Sequence, residues 1–183
     1  MVDMGLLIQL IIGVLAFLSS IFYLVSSVSL FRLYLEVGGE FWVRLSVGFA
    51  FLSLSQVSMV FSIVVRDAGI SYALYTTSPA LAISGIYMVW SSRRFTQFLA
   101  VTPLALAPSA LDIIAFSLAV LVALGSRRHV RVGFLLIALA HLGRAIGTLA
   151  LPGLAPALVI IVSEILRALG ALYMAFWYAR RVI

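Results

Sequence analysis

The sequence predicts an all-α integral membrane protein of six transmembrane helices, built as two inverted three-helix repeats. Three observations predict it. Hydrophobic residues make up 64% of the 183 residues and charged residues only 10%, against roughly 25% charged in a soluble domain. Mean hydropathy is +1.24. The apolar residues form continuous stretches of about 20 or more, the length a helix needs to cross a bilayer core. Too little polar surface remains for a soluble enzyme, a disordered tail or a nucleic-acid module. The stretches do not alternate, which argues against a β-barrel.

The spans are expected at 5–31, 41–65, 69–92, 103–125, 131–151 and 155–179, in a single domain over 1–183. The first follows an acidic start at Asp3 and is too long for the apolar core of a signal peptide. Glu36, Gly38, Gly39 and Glu40 separate it from the second. Arg66, Asp67 and Gly69 close the second. The third contains Pro79, which predicts a kink, and closes at Arg93 and Arg94. Pro103 and Pro108 bracket the start of the fourth. Gly125 to His129 lead into the fifth, and Pro152, Gly153 and Pro156 into the sixth. Trp42, Trp90 and Trp177 lie near span ends, as interfacial aromatics do.

All twelve basic residues are arginines, against six acidic residues. A pI near 10.3 would suggest nucleic acid in a soluble protein, but these arginines flank apolar stretches and set orientation. Six spans place both termini on one face. Arg66, Arg127, Arg128, Arg131, Arg180 and Arg181 fall on that face, and Arg32, Arg44, Arg93 and Arg94 on the other. The bias predicts cytoplasmic termini in the cell membrane. The chain has no cysteine, so disulfides and thiolate chemistry are absent.

The halves, 1–98 and 99–183, look related. Val47-Gly48-Phe49 matches Val132-Gly133-Phe134, and the same register aligns Gln56 with His141, and Ser58 and Ser62 with Gly143 and Gly147. These small-xxx-small pairs let membrane helices approach closely. A one-residue slip aligns Tyr87-Met88 with Tyr173-Met174, and places Leu81 opposite Arg167. Three spans per half predicts an inverted repeat, a transporter arrangement.

Five ionisable residues fall inside spans: Asp112, His141, Arg144, Glu164 and Arg167. Each costs a few kcal/mol in hydrocarbon, so each must face protein or water and find a partner. A rise of about 1.5 Å per residue places all five about 10–18 Å deep from the same face. His141, Arg144 and Thr148 share one helical stripe, and Glu164 and Arg167 another. The expected network pairs Arg144 with Glu164 or Asp112, extended by His141 and Arg167, with Gln56 and Thr148 as secondary polar groups. Two acids and two arginines cancel in charge, which also suits a purely structural clasp.

Ala140-His141-Leu142-Gly143 resembles the Ala-His-x-Gly stretch of rhomboid intramembrane proteases, whose histidine is the general base. Ser84-Gly85 resembles their nucleophile motif, and Gly39-Glu40-Phe41-Trp42 with Arg44 is similar to their segment ahead of the second helix. The resemblance implies Ser84 as nucleophile and His141 as base. The pattern departs at Ala82, where the family has glycine. The oxyanion-side histidine and asparagine are missing, with Gln56 the nearest substitute, and one span too few precedes Ser84. A protease is therefore not the expectation. A bis-ligated haem lacks its second axial ligand, and no metal, nucleotide or dinucleotide motif occurs. No cofactor is expected.

The expected function is transport of a small solute or ion through a polar midplane site on the fourth to sixth helices. Arg144 and Arg167 would meet an anion, Asp112 and Glu164 would hold the arginines, and His141 would respond to protons. The alternative is a non-transporting sensor, assembly subunit or scaffold, docking a partner through Arg127, Arg128, Arg131, Arg180 and Arg181. Expected partners are the lipid bilayer, the solute, and either a second copy or a partner membrane subunit; the Gly143–Gly147 face is expected to pack inside the bundle, with a homodimer contact as the alternative.

Overall fold

The structure, a computed structural model, describes residues 4–92, 108–149 and 155–180. Among these residues the chain is all helical. The six helices are α1 (Met4–Val37), α2 (Glu40–Val64), α3 (Ala68–Ser91), α4 (Pro108–Leu124), α5 (Arg128–Leu149) and α6 (Ala155–Ala179). Four of them, α1, α2, α5 and α6, are long and apolar enough to cross a membrane. The described part of α4 has 17 residues. α3 has 24, but Ser71, Tyr72, Tyr75, Thr76, Thr77 and Ser78 make its first half polar. Pro103, Arg93, Arg94, Pro152, Gly153 and Arg181 lie outside the described residues.

α1 runs through Arg32 and Glu36 instead of stopping at 31. It ends at Gly38 and Gly39, with φ of 72° and 97°, a left-handed region that other residues avoid. Charged side chains at a water interface do not stop a helix; the glycines do. α3 starts where Asp67 accepts a hydrogen bond from the Ile70 amide at 2.8 Å, a side-chain cap for an otherwise unpaired donor. Arg131 reaches back from α5 to donate to the carbonyls of Ala123 and Ser126, where carbonyls at a helix end need donors.

The outer faces are apolar, with Leu10, Phe61 and Phe176 all more than half exposed. Hydrocarbon accepts such a surface, whereas in water it would drive association. Serines hold the inner faces of the first three helices together. Ser27 and Ser46 exchange bonds across α1 and α2, as do Ser20 and Ser53. Ser55 meets Ser78, and Ser58 donates to the Leu74 carbonyl, across α2 and α3. These hydroxyls are packing groups, each satisfied by a neighbouring helix.

The helices close a ring in chain order, α1 to α6 and back to α1. The cross-contacts fix their directions. α1 and α2 are antiparallel by the serine pairs above, as are α2 and α3. Gln56 meets Arg167 and Phe49 meets Tyr178, so α6 runs opposite to α2. Gly133 packs on Gly170 and Gly143 on Ser163, so α5 runs opposite to α6. Asp112 meets His141, and Ala123 meets Arg131, so α4 runs opposite to α5. α3 and α4 therefore run in the same direction, and Ser92 and Pro108 stand at opposite ends of the bundle.

Two expectations are corrected by these directions. The halves run parallel to each other rather than inverted, and Met4 and Arg180 stand at opposite ends rather than on one face. Counting one reversal between each pair of helices predicts the inverted arrangement, and α3 and α4, which run in the same direction, break that count. With the directions established, Arg32, Arg44, Arg127, Arg128, Arg131 and Arg180 share one end, here the basic end. Arg66 is at the other, the distal end. All three tryptophans lie toward the basic end.

Contacts recur between the halves in one constant register. A Cβ on Gly48 would stand 2.8 Å from Val89 and 2.9 Å from the Gly85 carbonyl. A Cβ on Gly133 would stand 2.5 Å from Met174 and 3.4 Å from the Gly170 carbonyl. Val89 thus occupies the place of Met174, so the one-residue slip is not followed, and Ala82 rather than Leu81 stands opposite Arg167. The rings of Phe49 and Phe134, equivalent in this register, face each other across the centre at 6.4 Å.

Candidate functional site

The five in-span charges come together. Asp112 of α4, His141 and Arg144 of α5, and Glu164 and Arg167 of α6 are each no more than 1% exposed. His141 Nδ1 donates to Asp112 Oδ1 at 2.7 Å, since an ionised carboxylate only accepts. Arg144 Nε lies 3.4 Å from Asp112 Oδ2, and its Nη1 lies 3.8 Å from Glu164 Oε1. Arg167 Nη1 donates to both Glu164 oxygens, at 3.0 and 3.2 Å, and to Gln56 Oε1 at 3.3 Å. Gln56, on α2, thereby joins the cluster from the first half. His141, which the sequence register aligns with Gln56, meets the same cluster through Asp112.

Thr148 stands apart. It is exposed, and its hydroxyl donates to the Arg144 and Ala145 carbonyls of its own helix. The stripe it shares with His141 and Arg144 continues beyond the cluster, to where the bundle no longer covers it.

Two tyrosines join that the sequence did not single out. The Arg144 guanidinium lies over the Tyr75 ring, 5.1 Å from its centroid. A cation in that position is drawn to the ring's electron-rich face. Tyr23 of α1 is fully enclosed, with Arg167 and Glu164 as its electrostatic neighbours. The available signal was a phenol inside an apolar run, which reads equally as ordinary core.

The cluster is balanced in charge but not in hydrogen bonding. Five guanidinium nitrogens have no hydrogen-bond partner: all three of Arg144, and Nε and Nη2 of Arg167. The Tyr23 hydroxyl is also unpartnered, against a single acceptor, Asp112 Oδ2. The ion pairs of Arg144 are too long or misaligned to be hydrogen bonds. The site therefore has donors to spare and favours a group rich in acceptor oxygens.

The cluster is closed. A cavity of about 460 Å³ at the basic end is walled by Phe41, Trp42, Arg127, Trp177 and Tyr178. Another, of about 500 Å³ at the distal end, lies among α1, α2, α3 and α6. None of the five charged residues lines either. The protease-like pair is not formed: Ser84 donates to the Ala80 carbonyl of its own helix. Among the described residues no group of His, Asp and Glu is arranged to hold a metal. Gly143 and Gly147 face Ser163, Val159 and Pro156 of α6, so that small-residue face is spent inside the molecule.

Comparison with known protein families, with curated proteins and with solved structures finds no match to this chain.

Proposed function

We propose that this chain is a multi-pass cell-membrane protein whose six helices form two parallel three-helix repeats, and that it carries a small anionic solute or ion through the cluster on α4 to α6. The carrying observation is the set of fully buried guanidinium nitrogens without hydrogen-bond partners. An unmet buried donor costs about 1–3 kcal/mol, a cost that a bound oxyanion relieves. Arg144 and Arg167 meet the anion, Asp112 and Glu164 hold the arginines in place, and Gln56 orients Arg167. His141, with Nδ1 committed to Asp112, takes up a proton on Nε2 as solute passes. Parallel repeats as well as inverted ones build secondary transporters, with the site between the halves. The matching glycine contacts support the repeat. The basic end faces the cytoplasm by the positive-inside rule.

Flux of small anions into proteoliposomes containing the full chain tests this. Wild type is expected to carry at least one of chloride, nitrate, formate or phosphate, and Arg144→Met to abolish that flux. No flux of any of them above empty liposomes would reject transport.

The closed, charge-balanced state of the cluster favours a second reading. In it the charges are a clasp inside a sensor or assembly subunit, and no solute reaches them.

A further inference from the structure

The distal cavity and the charged cluster share one side chain. Tyr75 lines the cavity, and its ring carries the Arg144 guanidinium. The other cavity walls are Ser62 and Ser71, the Tyr72 ring, Gln9 and apolar side chains; no charged residue lines it. Arg66 and Asp67 are exposed at the rim, between the lining residues Val65 and Ala68; past them, an ion inside the cavity next meets full charge at Arg144, behind Tyr75. There it finds three guanidinium nitrogens without a hydrogen bond of normal geometry, held only by long ion pairs to Asp112 and Glu164 and by Tyr75 itself.

We infer that the distal cavity is the vestibule of the cluster, that it admits a small oxyanion, and that Tyr75 is the gate between the two. The inference rests on the proposed anion site and names its route and barrier. The ring blocks the way while it lies on Arg144. Turning it away exposes donors that a sulfonate, sulfate or carboxylate can accept from, in place of the weaker attraction of a ring face. The hydroxyls of Ser62 and Ser71 offer polar contacts on the way in. Ser71 donates to the Ser62 carbonyl, which ties the two walls together at the mouth.

The chain has no cysteine, so single cysteines report access without a background. Ser62→Cys places a thiol in the vestibule. Ser55→Cys places one two turns further along α2, where Ser55 touches Ser78, one turn from Tyr75 on α3. The full chain in proteoliposomes is treated from the distal side with a methanethiosulfonate carrying either a sulfonate or a trimethylammonium group. The vestibule thiol is expected to react with both reagents, and the deeper thiol to be protected. Tyr75→Ala and Tyr75→Leu should each remove the protection of the deeper thiol, more for the sulfonate reagent than for the cation, whereas Tyr75→Phe should keep it. Inorganic sulfate should restore protection in the opened variants. Either opened variant that purifies as a folded species suffices. Labelling of the deeper thiol that ignores Tyr75, comes from the basic end, or favours the cation overturns the inference. The outcome is separate from flux: gated, anion-selective access without transport sinks only the transport proposal, and transport with ungated access sinks only this one.

Discussion

Arg144 and Arg167 are the largest fully enclosed side chains among the described residues, and they set what single substitutions do. Removing one partner of a buried ion pair typically costs about 3–5 kcal/mol, because the other charge is left uncompensated. Glu164 is the carboxylate that both arginines share. Glu164→Gln should therefore lower stability in detergent by about 3–5 kcal/mol. Adding Arg167→Met restores neutrality and should recover most of that loss, a coupling that a double-mutant unfolding cycle measures directly. Equal and additive losses would mean that the two do not act as a pair. The sequence made the five charges legible because an ion in hydrocarbon is too costly to be incidental, and helical spacing put them on facing stripes. Tyr23 and Tyr75 stayed hidden because a phenol ring is at home in any apolar helix. Only the contact with Arg144 distinguishes Tyr75 from its neighbours.

Between elements, glycines decide how closely the helices approach. A Cβ at Gly85 would stand 2.6 Å from the Gly48 carbonyl, a backbone atom that no rotamer change can move. At Gly13 the nearest atom would be the end of Ile63, at 3.9 Å, an ordinary contact. Gly85→Ala should destabilise by about 1–3 kcal/mol, the usual cost of overpacking. Gly13→Ala should instead add up to about 1 kcal/mol, since alanine is the better helix former. Thermal unfolding of the two variants side by side gives the opposite signs. Helix number was legible at this scale, since long apolar runs announce themselves. The end of α1 was not: Arg32 and Glu36 looked like a boundary, yet the backbone turns only at Gly38 and Gly39. The hydroxyls of Thr76 and Thr77 bond the Tyr72 and Ala73 carbonyls, short of the Tyr75 carbonyl whose helical donor Pro79 removes.

Over the whole molecule, helix direction is the property that apolar periodicity cannot carry. A span reads the same upward or downward, so direction rests on counting reversals, and the shared direction of α3 and α4 defeats that count. The matching residue patterns were legible, and Gly48 with Gly133 now recurs as the same contact. Their relative sense was not. The two arrangements give opposite results in one experiment. Ala68 and Arg127 are both exposed, at the distal and basic ends respectively. Single cysteines placed there should react with impermeant thiol reagents from opposite sides of a sealed vesicle. An inverted arrangement puts both on the same side, and labelling from one side alone would restore it.

In the membrane protein proposed above, the parallel sense of the halves bears on how the chain is threaded during synthesis. Each half brings its own arginines to the same end: Arg32 and Arg44 from the first, Arg127, Arg128, Arg131 and Arg180 from the second. The insertion machinery thus meets the same instruction twice. In an inverted duplication the two halves need opposite charge signatures, and a few substitutions in loops can leave a chain undecided between two orientations. Here a mutation that weakens the first instruction leaves the second intact, and the orientation is buffered against the drift of surface charge.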